Sequence, residues 1–479
     1  MKRFAPVILF TSVLLSCNFV TQTLGLGGAP TPAILTLTEE PALAPGEPTR
    51  TPHPTAAPLT LALEKIPAPP EDCDESPFGL PAEKLAEVAY VPSGYCFNGE
   101  IDLFETGGHL YVVQSLGDEA AFFITDVTDP SRPFIVGEWQ WNAATYTADV
   151  KSFHQGERNY IVLSLEPVFS PVCGVAIVEV SDPANPGLLE IYSGRNTASP
   201  VEKWGGLSSP PQRAFQPAAT TWCDAHTTEI SADENGDGAF VYVSSIDTND
   251  LRVLDIRDLA RVREINHYTH PDAGFQGSGE ENFVHDTTLV GDRVYVAYWS
   301  AGVVVLDRRQ VESGEEVTPL NPPGSIAPEG LQVHHSFPTA DGNFLFVEDE
   351  VNYDPPQSQL RLYDIRDLSA PEEVTPIALD DPYSSPHNLL VSGDLLFVGW
   401  YSDGVRVFQY DTSDPANPTV KPYAFKAVRP EKTVGVFGSD LYDGVYGVRL
   451  HDCEILGQPL RCVYASDLTR GLLILAMEK

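Results

Sequence analysis

Histidine opens four short motifs that otherwise differ: Ala225-His226-Thr227, Val284-His285-Asp286, His334-His335-Ser336 and Pro386-His387-Asn388. Aligned on the turns that follow, His285, His335 and His387 stand seven positions before Asp292, Gly342 and Asp394. Equivalent positions in a repeating fold converge in space. His226, His285, His335 and His387 are therefore a candidate ligand set for a transition metal, which neutral imidazole binds well. The alternative is structural: imidazoles that hydrogen-bond between neighbouring strands around a water-filled channel. Spacing across distant segments is weaker than a compact ligand motif, so on spacing alone the structural alternative leads.

Other groups able to do chemistry fall in the same register. Tyr298-Trp299-Ser300 and Trp400-Tyr401-Ser402 occupy matching places, with Glu348-Asp349-Glu350 between them. Aromatic rings beside carboxylates suit a sugar, a cation or a peptide. Asp286, Trp299, Glu348, Asp349, Trp400 and Tyr401 thus make up a candidate binding face, and the insertion from Ser193 to Trp222 enters it as a lid or binding loop. Asp233-Glu234-Asn235-Gly236-Asp237-Gly238 resembles the first half of a calcium loop, with donors at Asp233, Asn235 and Asp237. Ser244 stands where its bidentate acid belongs, which points to a tight strand connection instead. Walker, Rossmann and GxSxG motifs are absent. A formal net charge of -38 excludes nucleic acid as a partner.

The elements that must position these residues are short β-branched and aromatic runs cut by regular turns, an all-β texture. One unit recurs: an apolar strand ending in Asp, then a Pro-rich turn. Its clearest copies are Phe123-Ile124-Thr125-Asp126-Val127-Thr128-Asp129-Pro130 and Ala176-Ile177-Val178-Glu179-Val180-Ser181-Asp182-Pro183-Ala184-Asn185-Pro186. Others are Arg252-Val253-Leu254-Asp255, Val304-Val305-Leu306-Asp307, Arg361-Leu362-Tyr363-Asp364, Arg406-Val407-Phe408-Gln409 and, at the end, Gly471-Leu472-Leu473-Ile474-Leu475.

These copies resemble the LVIVD repeats of bacterial and archaeal surface proteins, a resemblance that implies cell-surface placement and no defined reaction. Four strands per copy and a period of roughly 40 to 50 residues predict a β-propeller of about seven four-stranded blades. The last copy ends after its third strand, and Leu85-Ala86-Glu87-Val88-Ala89-Tyr90-Val91 is expected to close its blade as the missing outer strand. The carotenoid oxygenases hold an axial metal by histidines from separate blades, but their flanking motifs are missing here. The leading functional expectation is a non-catalytic binding or scaffold module with an unidentified extracellular ligand. The alternative is a metal-dependent extracytoplasmic enzyme with its site at the channel mouth.

The chain begins with Lys2 and Arg3, an apolar run from Phe4 to Leu15, and Leu14-Leu15-Ser16-Cys17, which resembles a lipobox. Residues 1–16 read as a signal peptide, Cys17 as the lipidated residue, 17–72 as a disordered Pro/Thr-rich stalk, and 73–479 as the propeller. The lipid is then the only membrane attachment of an exported protein. Of seven cysteines, six remain for disulfides. Proximity in sequence favours Cys73 with Cys96, Cys173 with Cys223, and Cys453 with Cys462.

Overall fold

The computed structural model describes residues 76–479 apart from 96, 118, 142–144, 168–171, 195, 198–221, 276–280, 328–331, 351–359, 378–383 and 430–442. The signal peptide, Cys17, the stalk, Cys73, Cys96 and most of the 193–222 insertion lie outside the described residues.

Seven antiparallel blades form a propeller ring. Their innermost strands are Asn98–Thr106, Val150–Gln155, Thr228–Ala232, Asp286–Val290, Val333–Pro338, Leu389–Ser392 and Val445–Ile455, here blades 1 to 7. Second and third strands are almost wholly buried, as in Arg158–Leu165 and Gly174–Glu179 of blade 2, because both faces of each blade pack on a neighbour. Runs such as Val-Ala-Ile-Val are what that environment demands.

The Pro-rich turns join third to fourth strands, and one bond pattern repeats in them. Backbone N–H groups of Ser131, Ala184, Ala260, Ser369 and Ala416 donate to the carboxylates of Asp129, Asp182, Asp258, Asp367 and Asp414. Each Asp caps a local turn, which is the whole role the motif needs.

Blade 4 departs from this plan. Its sheet has three strands, and after Val303–Asp307 the chain turns into the helix Arg308–Ser313. Asp307 caps that helix through the N–H groups of Arg309 and Gln310. Leu320 and Asn321 then take the outer place, Leu320 N bonding Val305 O and Asn321 Oδ1 accepting from Val305 N. Arg308-Arg309-Gln310 in place of an Asp-Pro turn is the sequence reason.

The ring closes as expected: Ala86–Pro92 pairs antiparallel with Gly471–Met477 as the outer strand of blade 7. Just before it, Ala82–Glu83 adds a fifth strand to blade 6. Lys426 fastens this N-terminal strap. Its side chain is fully buried, and Nζ bonds Glu87 Oε1 at 2.7 Å and the carbonyls of Pro77 and Leu80. Lys426→Ala strands these acceptors and should lower the unfolding free energy by about 3 kcal/mol, read by chemical denaturation; an unchanged midpoint would show the strap to be independent of the lysine.

Two disulfides join Cys173 to Cys223, linking blades 2 and 3, and Cys453 to Cys462 across the first hairpin of blade 7, with Cα–Cα distances of 5.2 and 5.7 Å. They point to an oxidising, extracytoplasmic location. Among the described residues no helix is long and apolar enough to cross a membrane.

Candidate functional site

Four histidines meet on the axis, one from each of blades 3 to 6: His226, His285, His334 and His387. Their rings follow one another at centroid distances of 4.3, 4.3 and 4.1 Å. All four are at least nine-tenths buried.

The third member is His334, where the turn alignment predicts His335. The hairpin after the innermost strand has two residues in blades 4 and 6, Gly291-Asp292 and Gly393-Asp394, but four in blade 5, with Thr339 N bonding Phe344 O. Counted from the last strand position before each hairpin, His285, His334 and His387 all lie five residues ahead of Val290, Thr339 and Ser392. A slip of one residue sends a strand side chain to the opposite side. His335 accordingly faces away from the ring: its Nδ1 accepts from Leu389 N at 3.1 Å and its Nε2 meets Thr288 Oγ1 at 2.9 Å. Both nitrogens are spent on tying blade 5 to its neighbours, so His335 is not a ligand.

The hydrogen bonds around the ring aim the Nε2 atoms inward. His226 Nδ1 lies 2.5 Å from Glu166 Oε1, His334 Nδ1 2.6 Å from Glu348 Oε1, and His387 Nδ1 2.8 Å from the Tyr446 carbonyl. The Tyr446 carbonyl can only accept, so His387 carries its proton on Nδ1 and leaves the Nε2 lone pair free, while Glu166 and Glu348 fix the ring orientations of His226 and His334 through Nδ1, as outer partners do for metal-binding histidines. His226 Nε2 and His285 Nε2 are 3.1 Å apart. With metal–nitrogen bonds of about 2.0–2.1 Å, that separation subtends roughly 100° at a shared ion. Glu350 completes the set: its Oε2 is 3.9 Å from His334 Nε2 and its Oε1 is 3.9 Å from His387 Nε2. His285, His334 and Glu350 offer ligand atoms all within 4.8 Å of one another.

Burial, reinforced by the neighbouring rings, holds His285 and His334 well below the usual imidazole range, and burial does the same to His387. They are neutral at pH 7. At His226 burial is outweighed by the Glu166 carboxylate, and the ring is pushed up to about 9. Burial pushes Glu350 up to about 7, and burial together with nearby acids raises Glu348 and Asp224 far above the carboxylate range. Glu348 and Asp224 are therefore uncharged at pH 7 and Glu350 only partly ionised, and a cation bound beside them would favour their ionised forms.

The other candidate face residues divide. Trp299 stacks on His285, centroids 4.9 Å apart, and Tyr401 donates to Glu350 Oε1 at 2.6 Å. Glu348 is the His334 partner, and Asp349 is buried beside it, accepting from Gln332 N. Trp400 belongs to the core between blades 5 and 6, its indole N–H bonded to Ser384 O. Asp286 turns away from the ring into a cavity beneath it, where burial pushes its carboxyl up to about 7. In the suggested calcium loop, Asp233 Oδ1 accepts from the N–H groups of Asn235 and Asp237, while Asp237 Oδ1 accepts from Gly156 N. Those oxygens serve the hairpin and its neighbour.

Glu166, Glu350, His334 and Tyr446 are not singled out in the sequence reading, although Glu350 and His334 stand within tripeptides it names. The first two were findable: Glu166, Trp299, Glu350 and Tyr401 all lie six residues beyond the second-strand positions Tyr160, Arg293, Phe344 and Leu395, which pair at or within two residues of the ends of third strands.

Residues 173–194 match the LVIVD repeat family. This chain carries an LVIVD repeat. The matched LVIVD segment covers the third and fourth strands of blade 2 and the Asp182-Pro183-Ala184-Asn185-Pro186 turn between them, so it names the scaffold rather than the axial site. No curated protein matches the sequence. Solved structures with partial likeness include a putative 6-phosphogluconolactonase from Bacteroides fragilis (12% identity, 76% of this chain and 93% of that one, TM-score 0.44). A periplasmic gluconolactonase from Pseudomonas aeruginosa (16%, 67% and 82%, 0.44) and a chain of the mitotic checkpoint complex (11%, 87% and 100%, 0.48) are others. Likenesses this distant do not bear on chemistry.

Proposed function

We propose that this LVIVD-repeat propeller is an exported, lipid-anchored metalloprotein that binds one transition-metal ion on its axis through His226, His285, His334 and His387 and acts there on a small substrate. The observation that supports the reading is the clustering of ligand atoms from His285, His334 and Glu350 within 4.8 Å of one another, with His226 Nε2 3.1 Å from His285 Nε2 and His387 Nε2 3.9 Å from Glu350, on rings held through Nδ1 by Glu166, Glu348 and the Tyr446 carbonyl. Bonds from His226 to Glu166 and from His387 to the Tyr446 carbonyl also bridge neighbouring blades, as a structural histidine would, so the weight of the reading falls on the close-set ligand atoms of His285, His334 and Glu350. Their convergence moves the metal reading ahead of the scaffold reading that spacing alone favoured.

Three neutral imidazoles, with His226 as a fourth once it yields a proton to the ion, suit iron, copper, zinc or nickel. Such an ion supplies Lewis-acid or redox chemistry when bound. Glu350 is the adjustable group of the site: Tyr401 holds its Oε1, and its Oε2 has no hydrogen-bond partner among the described residues, which fits a fifth donor. A dication would also balance the buried carboxyl groups around the ring.

The test is elemental analysis of the mature chain, exported to a periplasm and purified without tag or chelator, beside His285→Ala/His387→Ala. Close to one ion per wild-type chain and none in the variant is expected; no metal in either sample, with the fold intact, defeats the reading. Anchoring is checked separately: Cys17→Ala should move the protein from the membrane to the soluble fraction. A variant that stays with the membrane would remove the lipid from the proposal.

A further inference from the structure

A cavity of about 570 Å³ lies on the axis beneath the histidine ring. It opens on the opposite face of the disc, where Glu105, His154 and Gly236 adjoin the first hairpins of blades 1 to 3. The chemistry expected on one face is thus joined by a second concavity on the other. Its volume is that of a small-molecule site, which runs from roughly 300 to 1,000 Å³.

The wall carries charge of both signs, unequally satisfied. Lys151 bonds Asp149 at 2.5 Å, and Arg449 Nε bonds Asp102 at 3.2 Å with Glu100 at 3.5 Å from its NH1. The two cations therefore already have short carboxylate partners. Among the described residues Glu229 and Asp286, from blades 3 and 4, each accept a hydrogen bond only from the backbone N–H of the next residue, Ile230 and Thr287, through one oxygen, with Lys151 acting on both, and Arg449 on Glu229, only at longer range. Beyond that, among the described residues Asp286 Oδ2 has only His335 Nε2 at 3.9 Å, a nitrogen occupied by Thr288. Across the cavity Asn388 Oδ1 is buried and has no hydrogen-bond partner among the described residues. The unmet groups are acceptors, and the unmet charge is negative.

We infer that this cavity is a binding site for a small organic ammonium, held by Glu229, Asp286 and Asn388 and flanked by the rings of Phe153 and Phe337. An N–H₃⁺ group has three donors, one for each of these acceptors on the cavity wall. Its carbon chain then meets the phenyl rings, whose faces attract cations. The chain's formal charge of -38 raises the local concentration of such ligands. The residues differ from those of the metal centre, so the two proposals stand or fall separately.

The experiment is calorimetric titration of the propeller with a series from methylamine to 1,4-diaminobutane, against 1,4-butanediol as the uncharged control and calcium chloride as the bare-cation control. At least one amine should bind at 1:1 while the diol does not. Glu229→Gln should weaken it by roughly tenfold or more. Glu229→Lys, which tethers an ammonium in the site, should abolish it, with circular dichroism confirming the fold of both variants. Failure of every amine to bind, equal affinity for the diol, indifference to Glu229→Gln in a folded variant, or displacement of the amine by calcium each overturns the assignment.

Discussion

His334→Ala is expected to strip the axial centre of its metal, whereas His335→Ala, one residue along, keeps the metal and loses stability. The two side chains share a strand and point to opposite sides of it. His334 carries its Nε2 toward His285, His387 and Glu350 and is steered by Glu348. Its removal takes away a ligand and leaves Glu348 without its partner. Losing one donor from such a set lowers metal affinity by far more than the 10–100-fold typical of an outer-shell change. His335 instead spans three blades, accepting from Leu389 N in blade 6 and bonding Thr288 in blade 4. Truncating it strands a buried donor and opens a void, a loss of about 2–4 kcal/mol. Elemental analysis and thermal unfolding of the two variants side by side separate the outcomes. Metal lost from His335→Ala and retained in His334→Ala would mean that the ring is assembled from the other histidine.

The propeller was legible because its determinants repeat. Asp-Pro turns, buried Val/Ile/Leu strands and the unpaired N-terminal strand each have a local cause that recurs, so seven weak signals add. The axial site was only half legible, for a reason of register. A four-residue hairpin in blade 5 moves the alignment by one, and in a strand one residue exchanges ligand for strut. Trp400 was misread by the same parity: Tyr401, beyond the strand's end, reaches Glu350, and Trp400 faces the core. Glu166 and Glu350 share a position with Trp299 and Tyr401, so their type does not repeat even though their place does. The lower cavity had no signature at all. Asp102, Lys151, Glu229, Thr288, Phe337 and Arg449 line it from six blades with almost no shared chemistry, and only the closed ring makes them neighbours.

That ring depends on one strand, and a chain that begins at residue 93 is expected to have no cooperative unfolding transition. Ala86–Pro92 contributes a ladder of six residue pairs to Gly471–Met477. It also buries Ala89 and Val91 against Ile101, Leu472 and Ile474, at the seam between blades 7 and 1. At about 1 kcal/mol per hydrogen bond and about 2 kcal/mol per buried aliphatic side chain, the strand accounts for up to about 10 kcal/mol. That is comparable with the whole stability of a typical folded domain, about 5–15 kcal/mol. Deletion further removes Glu87 from Lys426, leaving a fully buried ammonium without its carboxylate. It exposes the edge of Gly471–Met477, whose side chains are all buried in the closed ring, so the truncated protein should aggregate. Val91→Asp is the milder version: a carboxylate forced into that seam should cost about 3 kcal/mol while leaving a two-state transition. Adding residues 76–92 as a separate peptide should restore solubility to the truncated chain, because the strand is held by pairing rather than by its covalent link. A truncated chain that melts cooperatively at the full-length temperature would show that blade 7 closes the ring with three strands, and that the N-terminal strand only decorates it.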